Sequence, residues 1–259
     1  MYSEQDQLGN VIKLPSLPQR IVSLVPSQTE LLFDLGLDEQ IAGITKFCTR
    51  PATKITDKIK VGGTKNFDIE LIKSLKPDLI IGNKEENEQA GIRHLQQLFP
   101  VWMSDIYNLS DALAMINSIG KVVGKSPLAN TLVQQILQSF ENLIPYSSKK
   151  AAYFIWRKPY MVAARDTFID DMMEKAGFQN VFEDFNRYPE ITPEQLQLAQ
   201  PEIIFLSSEP YPFKEKHVTE MQILCPHAQI LLVDGEMFSW YGSRLKYSAA
   251  YFSSLPLKG

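Results

Sequence analysis

The chain has 259 residues but only two cysteines and three histidines. Cys48 and Cys225 lie far apart and form neither a CxxC pair nor a disulfide framework, so two isolated thiols are expected. His94, His217 and His227 fall on predicted helices or their ends and are expected at the surface. No His, Cys and Asp cluster has metal-ligand spacing, which argues against a bare metal site. No GxSxG, HExxH or phosphate-loop pattern occurs, so no familiar catalytic class is signalled and no catalytic residue is assigned. Basic excess is lacking too. The net charge is −4, with 26 Lys and Arg against 30 Asp and Glu, which argues against nucleic-acid binding. No apolar run reaches the roughly 18 residues of a membrane-spanning helix. The opening MYSEQDQLGNVIKLP lacks the basic and apolar regions of a secretory signal.

What is present is an ordinary globular composition, 44% apolar and 22% charged, enough for one large or two medium α/β domains. Near the middle stands SPLANTLVQQILQSFENLIP, residues 126–145. Ser126 suits the N-cap and Pro127 the first helical position. Leu128, Leu132, Val133, Ile136, Leu137, Phe140, Leu143 and Ile144 recur at helical spacing, and Pro145 stops the pattern. The spacing predicts a rod of about 25 Å.

Before the rod, residues 1–19 read as a polar lead-in with a short extended piece at Val11-Ile12, and Arg20–Val25 as a buried strand. Ser27 and Glu30 suggest a capping box for a helix ended by Gly36. Asp68 caps a helix broken by Pro77, and Leu79–Gly82 is a strand. After the rod, Ala151–Trp156 is a strand, Asp166 or Thr167 opens a helix, and Thr192-Pro193-Glu194-Gln195 is a strong helix start. DIELIKSLKPDLIIGNKEE (68–86) aligns without a gap on TPEQLQLAQPEIIFLSSEP (192–210), pairing Glu70 with Glu194 and Pro77 with Pro201. Each half therefore reads as strand-helix units on a parallel sheet. The expected organisation is a lead-in (1–19), an N-terminal lobe (20–125), a connecting helix (126–145) and a C-terminal lobe (146–259). The fold class is α/β, two Rossmann-like lobes joined by one long helix, with a ligand cleft between lobes.

Ligands of open α/β sheets bind beyond the carboxyl ends of the strands. Loops predicted there carry Phe47, Trp156, Tyr160, Tyr188, Tyr211, Trp240 and Tyr241, with Lys65, Lys84, Arg157, Arg165, Arg187 and Arg244. Aromatic faces with a few cations suit a large, flat, partly anionic ligand. Glu85 or Glu209 could serve an α/β enzyme, but Glu85-Glu86 reads first as a turn and helix start.

The stretches RIVSLVPSQTELLFDLG, VGGTKNFDIELIKSLKPDLIIGNKEEN, IWRKPYM, RDTFIDDMMEKAGFQNVF, RYPEITPEQL, SSEPYPFKEKH and DGEMFSWYGSR together resemble the class III substrate-binding proteins of ABC importers. These are the cobalamin- and ferric-siderophore-binding type with a helical backbone, and the likeness runs from Arg20 to the end. It implies a non-enzymatic binder of a metal chelate, a corrinoid first and a ferric siderophore or haem next. The chelate would be a transported ligand, with no intrinsic cofactor. The implied partner is a membrane ABC permease, and the chain is expected to act as a monomer. Glutamates that dock onto permease arginines in cobalamin binders carry over to Glu70 and Glu194. An aromatic of the family's first loop matches Phe47. A tryptophan of the second falls at Thr64, a departure that removes one stacking surface, which Trp156, Tyr160, Trp240 and Tyr241 could replace. The resemblance places the chain outside the inner membrane. The polar opening keeps a second expectation alive, a cytoplasmic chelate carrier or sensor.

Overall fold

The computed structural model describes residues 2–146 and 148–257. Met1 of the expected lead-in, and Ser147, Lys258 and Gly259 of the expected C-terminal lobe, lie outside the described residues. The chain divides into two units. One comprises Met1–Ile106, Ser110–Gln135 and Tyr241–Arg244; the other comprises Tyr107–Leu109, Ile136–Trp240 and Leu245–Gly259.

The first unit opens with a hairpin, β1 (Tyr2–Gln5) and β2 (Val11–Leu14), where the sequence suggested a polar lead-in. Then come β3 (Ile21–Ser23), α1 (Pro26–Asp34), β4 (Ile41–Ile44), β5 (Ile59–Lys60), α2 (Ile69–Ser74), β6 (Leu79–Asn83), α3 (Gln89–Gln96) and β7 (Val101–Ser104). The sheet is parallel throughout, in the order β5-β4-β3-β6-β7. Val22, Leu24, Ile72, Ile80, Ile92 and Leu95 form a core on one of its faces. Burying each such side chain contributes about 1.5–3 kcal/mol. The outward N–H and C=O of Met103 on edge strand β7 are taken by the Asp6 carboxylate and the Gln7 N–H of the hairpin turn.

Pro26 starts α1 and Val25 is its cap residue, with no side-chain cap bond. This corrects the expected Ser27–Glu30 capping box. Proline suits the first helical position, and Glu30 turns inward to Arg244 instead of back to the helix end. By contrast Asp68 caps α2 as expected, accepting from the Leu71 N–H.

Next follow α4 (Leu109–Val122) and α5 (Ser126–Glu141). The division between units falls inside α5, between Gln135 and Ile136. The helix stops four residues before Pro145, short of the predicted rod. A residue before proline is pushed out of helical geometry, and Ile144 is left 85% exposed. Leu132, Val133 and Ile136 are buried, whereas Leu128 is not.

The second unit contains β8 (Lys149–Trp156), β9 (Tyr160–Ala163), α6 (Phe168–Lys175), β10 (Phe178–Asn180), β11 (Glu190–Ile191), α7 (Pro193–Ala199) and β12 (Ile203–Ser207). It ends with α8 (Glu215–Leu224), β13 (Gln229–Val233), α9 (Glu236–Ser239) and α10 (Leu245–Ser253). Its sheet runs β11-β9-β8-β12-β13, and β10 pairs in parallel with the start of β8. Strands β9 and β11 are antiparallel to their neighbours, so this sheet is mixed. Tyr153, Phe205, Phe238 and Phe252 pack ring to ring inside it. The internal repeat is visible in the topology. Strand β6 lies between β3 and β7 as β12 lies between β8 and β13, and α2 precedes one as α7 precedes the other.

Candidate functional site

Parallel register decides which loops share an edge, because every strand of a parallel set ends on the same side. In the first unit the loops after β4, β5 and β6 therefore come together. Phe47 is half exposed, with the Lys46 ammonium 5.2 Å from its ring centre. A Cβ on Gly63 would stand 3.2 Å from the Phe47 ring, so the loop of Thr64 and Lys65 passes directly beside it. Asn87, buried, is the hub. Its side-chain oxygen accepts from the Asn83 N–H, and its amide donates to the carbonyls of Leu24 and Thr64. Nothing in the sequence singled out Asn87; its place four residues after a strand-ending asparagine was the only sign. Lys65 donates to the Glu85 carbonyl, and Lys84 pairs with Asp105 at 2.6 Å.

Tyr241 and Arg244 join this unit from far along the chain. The Tyr241 hydroxyl donates to Glu86 at 2.5 Å, and Arg244 makes a two-point pair with Glu30 at 3.0 and 2.5 Å. Both side chains are buried. Gly242 between them is indispensable sterically, since a Cβ there would lie 2.4 Å from the Ser27 carbonyl.

In the second unit the carboxyl edge collects Trp156, Arg157, Tyr160, Tyr211 and Glu209. Trp156 is 40% exposed and meets Tyr211 edge to face at 5.6 Å. Trp240 is buried, with its indole N–H donating to the Glu209 carboxylate at 2.9 Å beside the Ser239 hydroxyl at 2.8 Å. Burial pushes the Glu209 carboxyl above its ordinary range, against the two donors, and Glu236 and Asp234 push it further. Register sets Arg165 and Tyr188 apart from this group. Ala163 pairs with Tyr153, three residues before Trp156, and Arg165 lies two residues further on. At about 3.3 Å per residue that is on the order of 10–17 Å from the Trp156 end. There Arg165 bonds Asn186, and Arg187 lies over both Tyr107 and Tyr188.

Two residues that sequence reasoning missed organise the hairpin of β8 and β9. Glu220 on α8 receives the Arg157 Nε and Nη2 at 3.0 and 2.7 Å on one oxygen, and the Tyr160 hydroxyl on the other. Burial would raise its carboxyl, but these donors outweigh that and hold it below the ordinary value. His217, one turn earlier, is buried, contrary to the surface position expected for it. Its Nδ1 accepts from the Lys214 N–H, so the neutral ring carries its proton on Nε2, toward the Tyr211 oxygen at 3.3 Å. Burial, then Arg157 and Lys216, keep the imidazole below its ordinary value. An open depression of about 640 Å³ is lined by Arg157 to Tyr160 and by Glu190 to Pro193.

Glu70 and Glu194 are each the second residue of a capped helix, α2 and α7, and both are exposed. Glu70 pairs with Lys73 on its own helix at 2.9 Å. Thr192 and Gln195 form the reciprocal capping box at the start of α7. No group of three or more His, Cys, Asp or Glu that could hold a metal occurs among the described residues. No helix among them is long and apolar enough to cross a membrane.

Residues 21–222 match the sequence profile of the periplasmic binding protein family. The chain belongs to that family. Its members bind solutes and are not enzymes. The chain is 26% identical over 212 residues to an uncharacterized ABC transporter substrate-binding lipoprotein, YvrC of Bacillus subtilis, covering 77% of this chain and 67% of that one. It is 24% identical over 204 residues to a vitamin B12-binding protein of Vibrio cholerae, covering 76% and 74%. Among solved structures, the periplasmic heme-binding protein HutB of Vibrio cholerae superposes with a TM-score of 0.78 at 20% identity, over 92% of this chain and 99% of that one. That likeness is one of fold alone, α/β.

Proposed function

We propose that this chain is the substrate-binding protein of an ABC-type importer. It takes a metal chelate, a corrinoid before a ferric siderophore or haem, against its strand-end loops and delivers it to a permease outside the inner membrane. The observation that carries the transport reading is the matched pair Glu70 and Glu194. Each stands exposed at the second position of a helix that precedes an equivalent strand. A structural need for acidity at a helix start would be met at any residue of the first turn; two carboxylates at one repeated position suit two arginines of a two-fold partner. The aromatic and cationic side chains of the strand-end loops support a flat chelate as cargo. Phe47 and Trp156 are the exposed rings among them, whereas Trp240 and Tyr241 are buried behind.

Equilibrium titration with cyanocobalamin, haemin and a ferric siderophore tests the cargo. Submicromolar binding of one is expected, on the order of 8 kcal/mol or more, and failure of all three overturns the proposal. Replacing Glu70 and Glu194 together by Ala should leave that affinity unchanged and abolish permease-dependent uptake. A fall in affinity instead would show that these residues face the ligand.

A further inference from the structure

This inference deepens the proposed function and rests on it. The side chains of the β8–β9 hairpin are spoken for before any ligand arrives. Arg157 lays two N–H groups on one Glu220 oxygen, and the Tyr160 hydroxyl donates to the other. The three groups are half-buried, and Arg157 and Tyr160 line the open depression beside the hairpin. A ligand carboxylate approaching Arg157 would meet the Glu220 charge at nearly the same range. Attraction and repulsion then largely cancel, and little is left to repay the dehydration of the incoming anion.

An amide meets different terms. Arg157 keeps N–H groups beyond those on Glu220, and these can donate to a carbonyl oxygen. Tyr160 gives its proton to Glu220, which leaves the phenol oxygen as an acceptor for an amide N–H. Donor and acceptor stand side by side on one hairpin, the pattern an amide complements. We infer that Glu220 is a specificity-determining residue. By neutralising Arg157 and orienting Tyr160, it makes this hairpin a site for the amide edge of an uncharged chelate in preference to the carboxylate edge of an anionic one.

The test compares wild type, Glu220→Gln, and Glu220→Gln combined with Arg157→Gln, titrated with cyanocobalamin, whose rim bears amides, and with haemin, whose rim bears carboxylates. Glu220→Gln releases a full positive charge. It should raise haemin affinity relative to cyanocobalamin by about tenfold or more, and the double variant should lose that gain. An equal change for both chelates, or a gain that survives removal of Arg157, overturns the inference. Propionamide and propionate, read at the Arg157 Nε–H resonance, should show the same reversal of preference. This arm does not depend on either chelate. Failure of every chelate with the small probes reversing as expected would remove the proposed function and leave only the amide preference of the hairpin standing; small probes that do not reverse would overturn the inference itself.

A spectroscopic readout excludes a merely structural role. Burial first, then the bond and charge of Glu220, push the Tyr160 phenol up to about 12. In the ligand-free protein, Glu220→Gln should bring that ionisation down in an ultraviolet titration. The step is identified by its absence in Tyr160→Phe, and no movement would count against the proposed orientation of Tyr160.

Discussion

Strands β6 and β12 occupy equivalent places in two sheets, yet the chain leaves them with different chemistry. Both exits are turned by the strand's last side chain. Asn83 accepts from the N–H groups of Glu85 and Glu86, and the Ser207 hydroxyl accepts from the N–H of Glu209. Beyond that point they part. The first unit's loop stays partly open and sends Glu86 to Tyr241. The second unit's loop folds Glu209 inward to hold Ser239 and Trp240. The opening strands diverge further. Strand β3 is three residues long and runs almost directly into α1, while β8 is eight long and continues as a hairpin carrying Trp156, Arg157 and Tyr160. Scaffold positions are repeated and the strand-end chemistry is not.

Each unit also has one arginine–glutamate pair beside its strand ends, and the two differ in burial. Arg244 and Glu30 have side chains 8% and 11% exposed, against 24% and 27% for Arg157 and Glu220. The largest expected effect breaks the deeper pair. Arg244→Met removes the two-point pair from the buried Glu30 carboxylate and should cost about 3–5 kcal/mol in urea unfolding. Glu220→Gln should leave the midpoint nearly in place. Equal losses would erase the distinction drawn between a structural pair and a ligand-facing one. A smaller effect comes from the helix starts. Thr192→Ala on α7 and Asp68→Ala on α2 each remove a side-chain cap and should each cost about 1 kcal/mol. A clear inequality would mean that the repeat does not carry equal weight in the two units. The smallest concerns Glu209. Its folded-state carboxyl is raised, so stability it contributes is present below the ordinary glutamate range and is lost as pH rises through the raised value. Wild type should therefore lose ground against Glu209→Gln as pH is taken from acid to neutral. A flat difference across that range would mean the carboxylate is better solvated than its surroundings indicate.

The sequence showed much of the scaffold because scaffold signals are local. Thr167 and Thr192 cap α6 and α7 through neighbours three residues on, and the long strands are continuous apolar runs. Strands β9, β10 and β11 were not foreseen because they are short, with four, three and two residues, and β10 and β11 hold polar residues in place of a continuous apolar run. Runs so short carry no period, and their pairing is decided by the strand they lie against. The same limit governs the site. The carriers Phe47, Trp156 and Tyr211 were visible as aromatic residues after strands. Arg244 was a loop cation in the sequence, and only a partner 214 residues away makes it a buried strut. Glu220 and His217 looked like ordinary polar positions on α8, and the hairpin that rests on them gives them meaning. Glu30 was assigned to a helix cap because the sequence could not show Arg244 competing for it.

The turn of the opening hairpin has a consequence for how the edge of the first sheet meets other chains. Strand β7 ends the first sheet, and a bare sheet margin is a template for another chain to add to. Asp6 and Gln7 occupy the outward backbone groups of Met103, and the Gln7 side chain receives the N–H of Asp105 just beyond the strand. A segment that sequence alone marks as a polar lead-in thus caps outward backbone groups on one edge of the first sheet, leaving fewer of them for a second chain to pair with.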